Sequence, residues 1–119
     1  MTSDESFHKE EHLLKTASFK KVYNYGLSCR HKNFSVYYLP NNLKYSRIGF
    51  AVSSRTVKLA TRRNRIKRLL RELYRKNKKE LKINIDLVIG VKKSFYKDVS
   101  YHIVETVFME ALKKSGIVK

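Results

Sequence analysis

Residues 62 to 75, RRNRIKRLLRELYR, place seven cations in fourteen positions with apolar residues at helical spacing between them. At about 100° per residue, Ile66, Leu69, Leu70, Leu73 and Tyr74 fall within roughly 140° of arc, a stripe that has to be buried. Asn64, Lys67, Arg68, Arg71 and Arg75 fall within about 100° on the opposite side. Arg63 and Arg65 flank the edges, and Arg62 stands at the N-terminal end. Any fold containing this helix must offer an apolar surface to one side and leave the other side open. Between residues 62 and 79, Glu72 is the one carboxylate against ten cations. Ordinary solvated helices mix signs, because like charges four residues apart, such as Lys67 with Arg71 and Arg71 with Arg75, cost a few tenths of a kcal/mol each. Phosphates arriving from a polyanion would remove that cost. Asn64 adds no attraction for phosphate. Its amide both donates and accepts, so it either holds a ribose or base edge or caps the helix start.

The charge is not confined to this helix. The 119 residues carry 27 Lys and Arg against 10 Asp and Glu, a formal net charge of +17, with 42% hydrophobic residues. That length and apolar content suit one domain with one core. A compact domain so cationic repels itself and points to nucleic acid or an anionic membrane. The longest apolar run, near 87–91, falls far short of the roughly 20 residues of a spanning helix. A membrane-surface role is disfavoured because the apolar side of the basic helix is committed to a core. The polar start, MTSDESFHKEEH, lacks the apolar centre of a signal peptide. One cysteine, Cys29, fits a reducing compartment, so the expected location is cytoplasmic.

Residues 1–12 read as a flexible polar tail and 13–119 as a single domain, which the resemblance given below makes an RNA-binding one. LLKTASFKKVYNYG reads as a short helix capped by Thr16 or Ser18, with Phe19, Val22 and Tyr23 on one face and Gly26 past its end. NFSVYYL alternates as a strand, with Phe34, Val36 and Tyr38 on one face and Ser35 and Tyr37 on the other, and Pro40-Asn41-Asn42 turns the chain. RIGFAV is a second strand directing Ile48, Phe50 and Val52 to one side. SSRTVKLAT, 53–61, is a loop into the basic helix. INIDLVIGV, 83–91, is a strand rich in β-branched residues. A helix from about 99 to 114 places Val104, Val107, Phe108, Ala111 and Leu112 inward. Strands separated by helices, without repeats, give one mixed layer domain of α+β class.

No nucleophile–base constellation stands out, so no catalytic residue is expected in the chain. His8-Lys9-Glu10-Glu11-His12 formally matches an H-x-x-E-H zinc pattern but lies in a polar tail without a helical apolar setting, and no metal site is assigned. Asp86, inside an apolar strand, is either a satisfied buried carboxylate or solvent-facing. Cys29 reads as a small, partly buried side chain.

RNRIKRLLRE, 63–72, resembles the signature of the bacterial ribonuclease P protein family, an Arg-Asn-Arg motif opening a basic helix. LLKTASFKKVYNYG, NFSVYYL and RIGFAV are similar to that family's first helix and strands, in order and at similar spacing, over roughly residues 13–75. The chain departs from the pattern in SSRTVKLA. Lys58 stands where a Gly is usual, Thr61 replaces a Val, and the segment is about one residue longer. The resemblance implies a small sandwich around a four-stranded sheet, of αβββαβα order with a left-handed βαβ crossover, like the second domain of ribosomal protein S5. It implies a catalytic RNA, the ribonuclease P RNA, as partner, and removal of the 5′ leader of precursor tRNA as the reaction. The RNA performs the chemistry with magnesium bound mainly by itself, and the protein acts as a monomer within the complex. Carried over singly, Arg62, Arg63, Asn64, Arg65, Lys67, Arg68 and Arg71 contact the RNA subunit. Phe19, Tyr23 and Tyr37 form a leader-binding cleft, with Lys32 adding a phosphate contact. On spacing alone those aromatics are either core or stacking platforms, the latter worth about 1–3 kcal/mol per base. The alternative function is a structural, ribosomal-type RNA-binding protein, which has less use for a single-strand groove.

Overall fold

The computed structural model describes residues 11–12, 16–92 and 101–119. In chain order the elements are α1 (Thr16–Tyr25), β1 (Leu27–Arg30), β2 (Phe34–Pro40), β3 (Arg47–Ala51), α2 (Ala60–Asn77), β4 (Ile85–Val91) and α3 (Tyr101–Ser115). The strands form one mixed sheet in the order β1-β2-β4-β3. The β1–β2 and β2–β4 pairs are antiparallel, and β3 runs parallel to β4. Parallel neighbours cannot be joined by a tight turn. The α2 helix is the crossover between them.

β4 is paired on both sides and covered on both faces, which explains why IDLVIGV reads as an almost continuous apolar run rather than an alternating one. Phe34 and Val36 of β2, Ile48 of β3 and Ile85, Leu87 and Ile89 of β4 meet Ile66, Leu70, Leu73 and Tyr74 of α2 and Val104, Phe108, Ala111 and Leu112 of α3 in the main core. Leu69, Val107 and Phe50 pack against it from its margin. Phe34 and Phe108 meet edge to face, with centroids 6.1 Å apart. On the other face Val22 of α1 and Val88 form a smaller cluster with Phe19, Tyr37 and Leu39. One helix therefore covers part of one sheet face while two helices cover the other.

Asp86 is the polar exception in β4. Arg47 clasps it through two hydrogen bonds, Nε to Oδ1 at 2.8 Å and Nη2 to Oδ2 at 2.6 Å, and the Asn41 amide donates a third at 2.9 Å. Of the two readings open to Asp86, the buried and satisfied one holds. Its hydrogen bonding to Asp86 is also the main reason the Arg47 guanidinium is held above its usual pKa.

Three boundaries differ from the sequence expectation. Ser18 lies inside the first turn of α1, which already includes Thr16. Pro40 is the last residue of β2 rather than the first of a turn, and the turn runs on to Ser46, whose hydroxyl accepts from the Ile85 N–H at 3.0 Å. β1 fills the strand that the αβββαβα order calls for but that periodicity assigned to no residues: LSCR is a four-residue edge strand without a periodic signal. Residues 1–10 lie outside the described residues, but Glu11 and His12 are anchored. Glu11 is buried and receives Lys78 Nζ at 2.8 and 3.1 Å, and His12 makes a parallel bridge to Ile48 at the β3 edge.

Gly26 stands where α1 hands over to β1, and its N–H donates to the Val22 carbonyl at 2.8 Å. A Cβ there would sit 2.5 Å from the Val22 oxygen and 2.6 Å from the Tyr38 oxygen, both backbone. Gly26→Ala is expected to destabilise the domain by about 1–3 kcal/mol, the usual penalty of overpacking. A denaturant titration checks this, and an unchanged midpoint would contradict the close approach.

Candidate nucleic-acid interface

The α2 helix is positioned by its apolar stripe. With Ile66, Leu70, Leu73 and Tyr74 seated on the sheet, Arg62, Asn64, Arg65, Arg68 and Arg71 are exposed and Lys67 is half-exposed. Arg62, Lys67, Arg68 and Arg71 have no carboxylate partner among the described residues. Glu72 faces the C-terminal end instead. It receives Arg75 at 2.6 and 3.2 Å and lies 3.8 Å from Lys76. The Arg75 hydrogen bond is the main cause that holds the Glu72 carboxyl below its usual pKa. Among the described residues, Arg62, Lys67, Arg68 and Arg71 thus keep their charge uncompensated by a carboxylate.

Two residues of the Arg-Asn-Arg motif differ from one another in role. Arg63 turns back and donates from Nη1 to the carbonyls of Val57 and Lys58, each at 2.9 Å. It pins the loop before the helix, where Val57 is itself a core residue. Asn64 is the fifth residue of α2 and is exposed, so the capping reading falls. Leu59 occupies the N-cap without a side-chain hydrogen bond.

On the opposite sheet face, Tyr23 of α1 meets Tyr37 of β2 edge to face, with ring centroids 4.8 Å apart and planes at 83°. Burial, and then the neighbouring Tyr37, push the Tyr23 phenol above its usual pKa, so it stays neutral at physiological pH. Tyr23 nonetheless remains 43% exposed. Tyr37 pairs with Ser28 and Val88, and the next residues on that side are Arg30, Ser35 and Gly90. Beyond the aromatic pair the sheet is therefore floored by small side chains and bordered by an exposed arginine. Lys32 is exposed in the β1–β2 turn, outside the strands. Arg30 was not anticipated as a site residue, because recognising it requires the register of β1.

The aromatic and basic groups meet at the β3 edge. A cavity of about 210 Å³ is lined by Phe19 from α1, Ile48, Gly49 and Phe50 from β3, Lys67 and Arg71 from α2, and His12. Phe19 and the pair Lys67 and Arg71, read from the sequence as parts of two separate surfaces, share one concavity. Sequence spacing could not show this, since the residues lie about fifty positions apart.

A family model for ribonuclease P matches residues 7–116. This chain belongs to the ribonuclease P protein family. It is 34% identical over 106 residues to the ribonuclease P protein component of Alkaliphilus metalliredigens, covering 89% of this chain and 94% of that protein. With the corresponding protein of a Clostridium botulinum strain the identity is 36% over 110 residues, covering 92% and 97%. The solved RNase P protein of Staphylococcus aureus superposes with a TM-score of 0.83 at 25% identity, over 92% of this chain and 98% of that one. The Thermotoga maritima protein gives a TM-score of 0.73 at 31% identity, over 80% and 88%. The small α+β fold with its four-stranded mixed sheet is thus the fold of this family.

Neutralising Lys67, Arg68 and Arg71 together is expected to weaken binding to structured RNA. Each lost phosphate contact should lower the magnitude of the log–log salt slope by about 0.7–0.9. Affinities measured across a salt series check this, and an unaltered slope would show that this face meets no phosphate.

Proposed function

We propose that this protein is the RNA-binding subunit of a ribonucleoprotein endoribonuclease, ribonuclease P, that removes the 5′ leader of precursor tRNA. The observation that carries the reading is the meeting of Lys67 and Arg71 of α2 with Phe19 of α1 in one concavity. In this reading the α2 cations hold the ribonuclease P RNA through its phosphates, and Asn64 hydrogen-bonds a ribose or base edge. The leader lies on the small-residue floor beside Tyr37, where Tyr23 and Tyr37 stack its bases without reading their sequence.

The protein supplies affinity and alignment, and the RNA carries the chemistry. Among the described residues no three His, Cys, Asp or Glu side chains come together as metal ligands. The buried Asp86 is spent on Arg47 and Asn41. Magnesium in this reading is held by the RNA, and the protein favours it by neutralising the phosphate charge that otherwise keeps the RNAs apart. No helix among the described residues is long and apolar enough to cross a membrane.

The test is cleavage of a precursor tRNA by a bacterial ribonuclease P RNA at low magnesium, with and without the protein. Accurate cleavage at the mature 5′ end only when both are present is expected. No stimulation by a folded protein that still binds structured RNA would favour the ribosomal-type alternative. Within the active complex, Tyr37→Ala is expected to weaken a leader-bearing substrate by about 1–3 kcal/mol per stacked base. Mature tRNA should be unaffected, and equal losses on both would remove the cleft from the mechanism.

A further inference from the structure

His12, which the sequence offered only as part of a formal zinc pattern in a polar tail, lines the β3-edge cavity. Its segment is fixed from two sides, by the backbone bridge to Ile48 and by the Glu11–Lys78 ion pair. The imidazole therefore shares the cavity with Lys67 and Arg71 because of the fold. From α2 those two cations face the cavity. From its own segment Glu11 is the neighbouring charge, with its carboxylate engaged by Lys78, while α1 and β3 contribute the uncharged Phe19, Ile48, Gly49 and Phe50. At about 210 Å³ the space is smaller than the roughly 300–1,000 Å³ that engulf a whole drug-sized ligand. It suits a single charged group of a longer chain, and its two flanking cations select an anion.

We infer that this cavity binds one backbone phosphate of an RNA strand between Lys67 and Arg71, and that His12 tightens the grip when its ring is protonated. The inference rests on the proposed RNA-binding function and assigns a pH-sensitive subsite within it. Its physical logic is reciprocal. Burial first and Arg71 second lower the His12 pKa from its usual value, with Glu11 opposing them. A depressed histidine stabilises the fold above its ordinary pKa and loses that contribution as pH falls through the folded value. An anion in the cavity offsets the Arg71 field and accepts a hydrogen bond from the ring, so it raises the His12 pKa. By linkage, protonation then raises anion affinity by the same factor.

Sulfate is the probe, since its charge is constant where histidine titrates. Its affinity for the full chain is measured at about pH 5.5 and about pH 8, with the ring signals of the histidines followed by NMR. Sulfate is expected to bind about three- to tenfold more tightly at the lower pH through His12, the effect of one added charge at a few ångströms in a half-solvated site. Sulfate should raise the titration midpoint of the His12 ring. His12→Ala and His12→Gln should remove most of the pH increment while keeping the binding seen at pH 8; the Gln variant preserves size and polarity should Ala loosen the segment. An increment retained in both variants, or a His12 midpoint unmoved by sulfate, overturns the inference. Displacement of sulfate by a single-stranded leader oligonucleotide assigns the phosphate to the leader, and displacement only by ribonuclease P RNA assigns it to the RNA subunit. Displacement by neither overturns the RNA assignment. The cleavage assay with wild-type protein reads the accessory function separately, so failure of the subsite and failure of the function are distinguishable.

Discussion

The seating of Ile66, Leu70, Leu73 and Tyr74 on the sheet is the interaction on which the rest depends. Each large apolar side chain so buried contributes roughly 1.5–3 kcal/mol, enough to fix the rotation of α2 about its axis. That rotation determines which side chains face solvent, and it leaves Arg62, Arg68 and Arg71 no inward alternative. The same seating makes α2 the link between parallel β3 and β4, and so carries its basic side past the β3 edge toward α1. One apolar stripe thereby accounts for the core, the crossover and the placement of the charge.

Much of this was legible in the residues, because helical and strand periodicity are direct records of burial. The stripe of α2, the inward set of α3 and the alternation of Phe34, Val36 and Tyr38 all follow from spacing. What spacing does not record is pairing. β1 has too few residues and too little apolar content to announce itself, and its register with β2 is what puts Arg30 on the Tyr37 side. Nor does composition reveal where a guanidinium is spent. Arg63 and Arg68 are equivalent as letters in a basic helix, yet one serves the backbone of the loop and the other faces water. The meeting of Phe19 with Lys67 and Arg71 was illegible for the same reason, since it is a product of tertiary topology.

The loop before α2 is fastened at three points. Arg63 supplies two hydrogen bonds to its carbonyls, Val57 plugs into the core, and Ser53 caps the turn through the Thr56 N–H at 3.1 Å and its hydroxyl at 3.0 Å. With these three fastenings holding the backbone, Lys58 leaves its side chain exposed.

The internal ion pairs also shape how the molecule approaches a partner. Arg47, Arg75 and Lys78 are matched by Asp86, Glu72 and Glu11, while Glu105 and Glu110 lie on α3 beside the end of α2. Among the described residues, the cations without a carboxylate partner thus gather in the first turns of α2, while carboxylates and cations are interspersed where α2 ends beside α3. In the field of a polyanion such an asymmetry exerts a torque, and the domain turns its basic side forward before any contact forms. Most encounters then begin in a productive orientation, and the advantage fades as salt shortens the range of the field to about 8–10 Å.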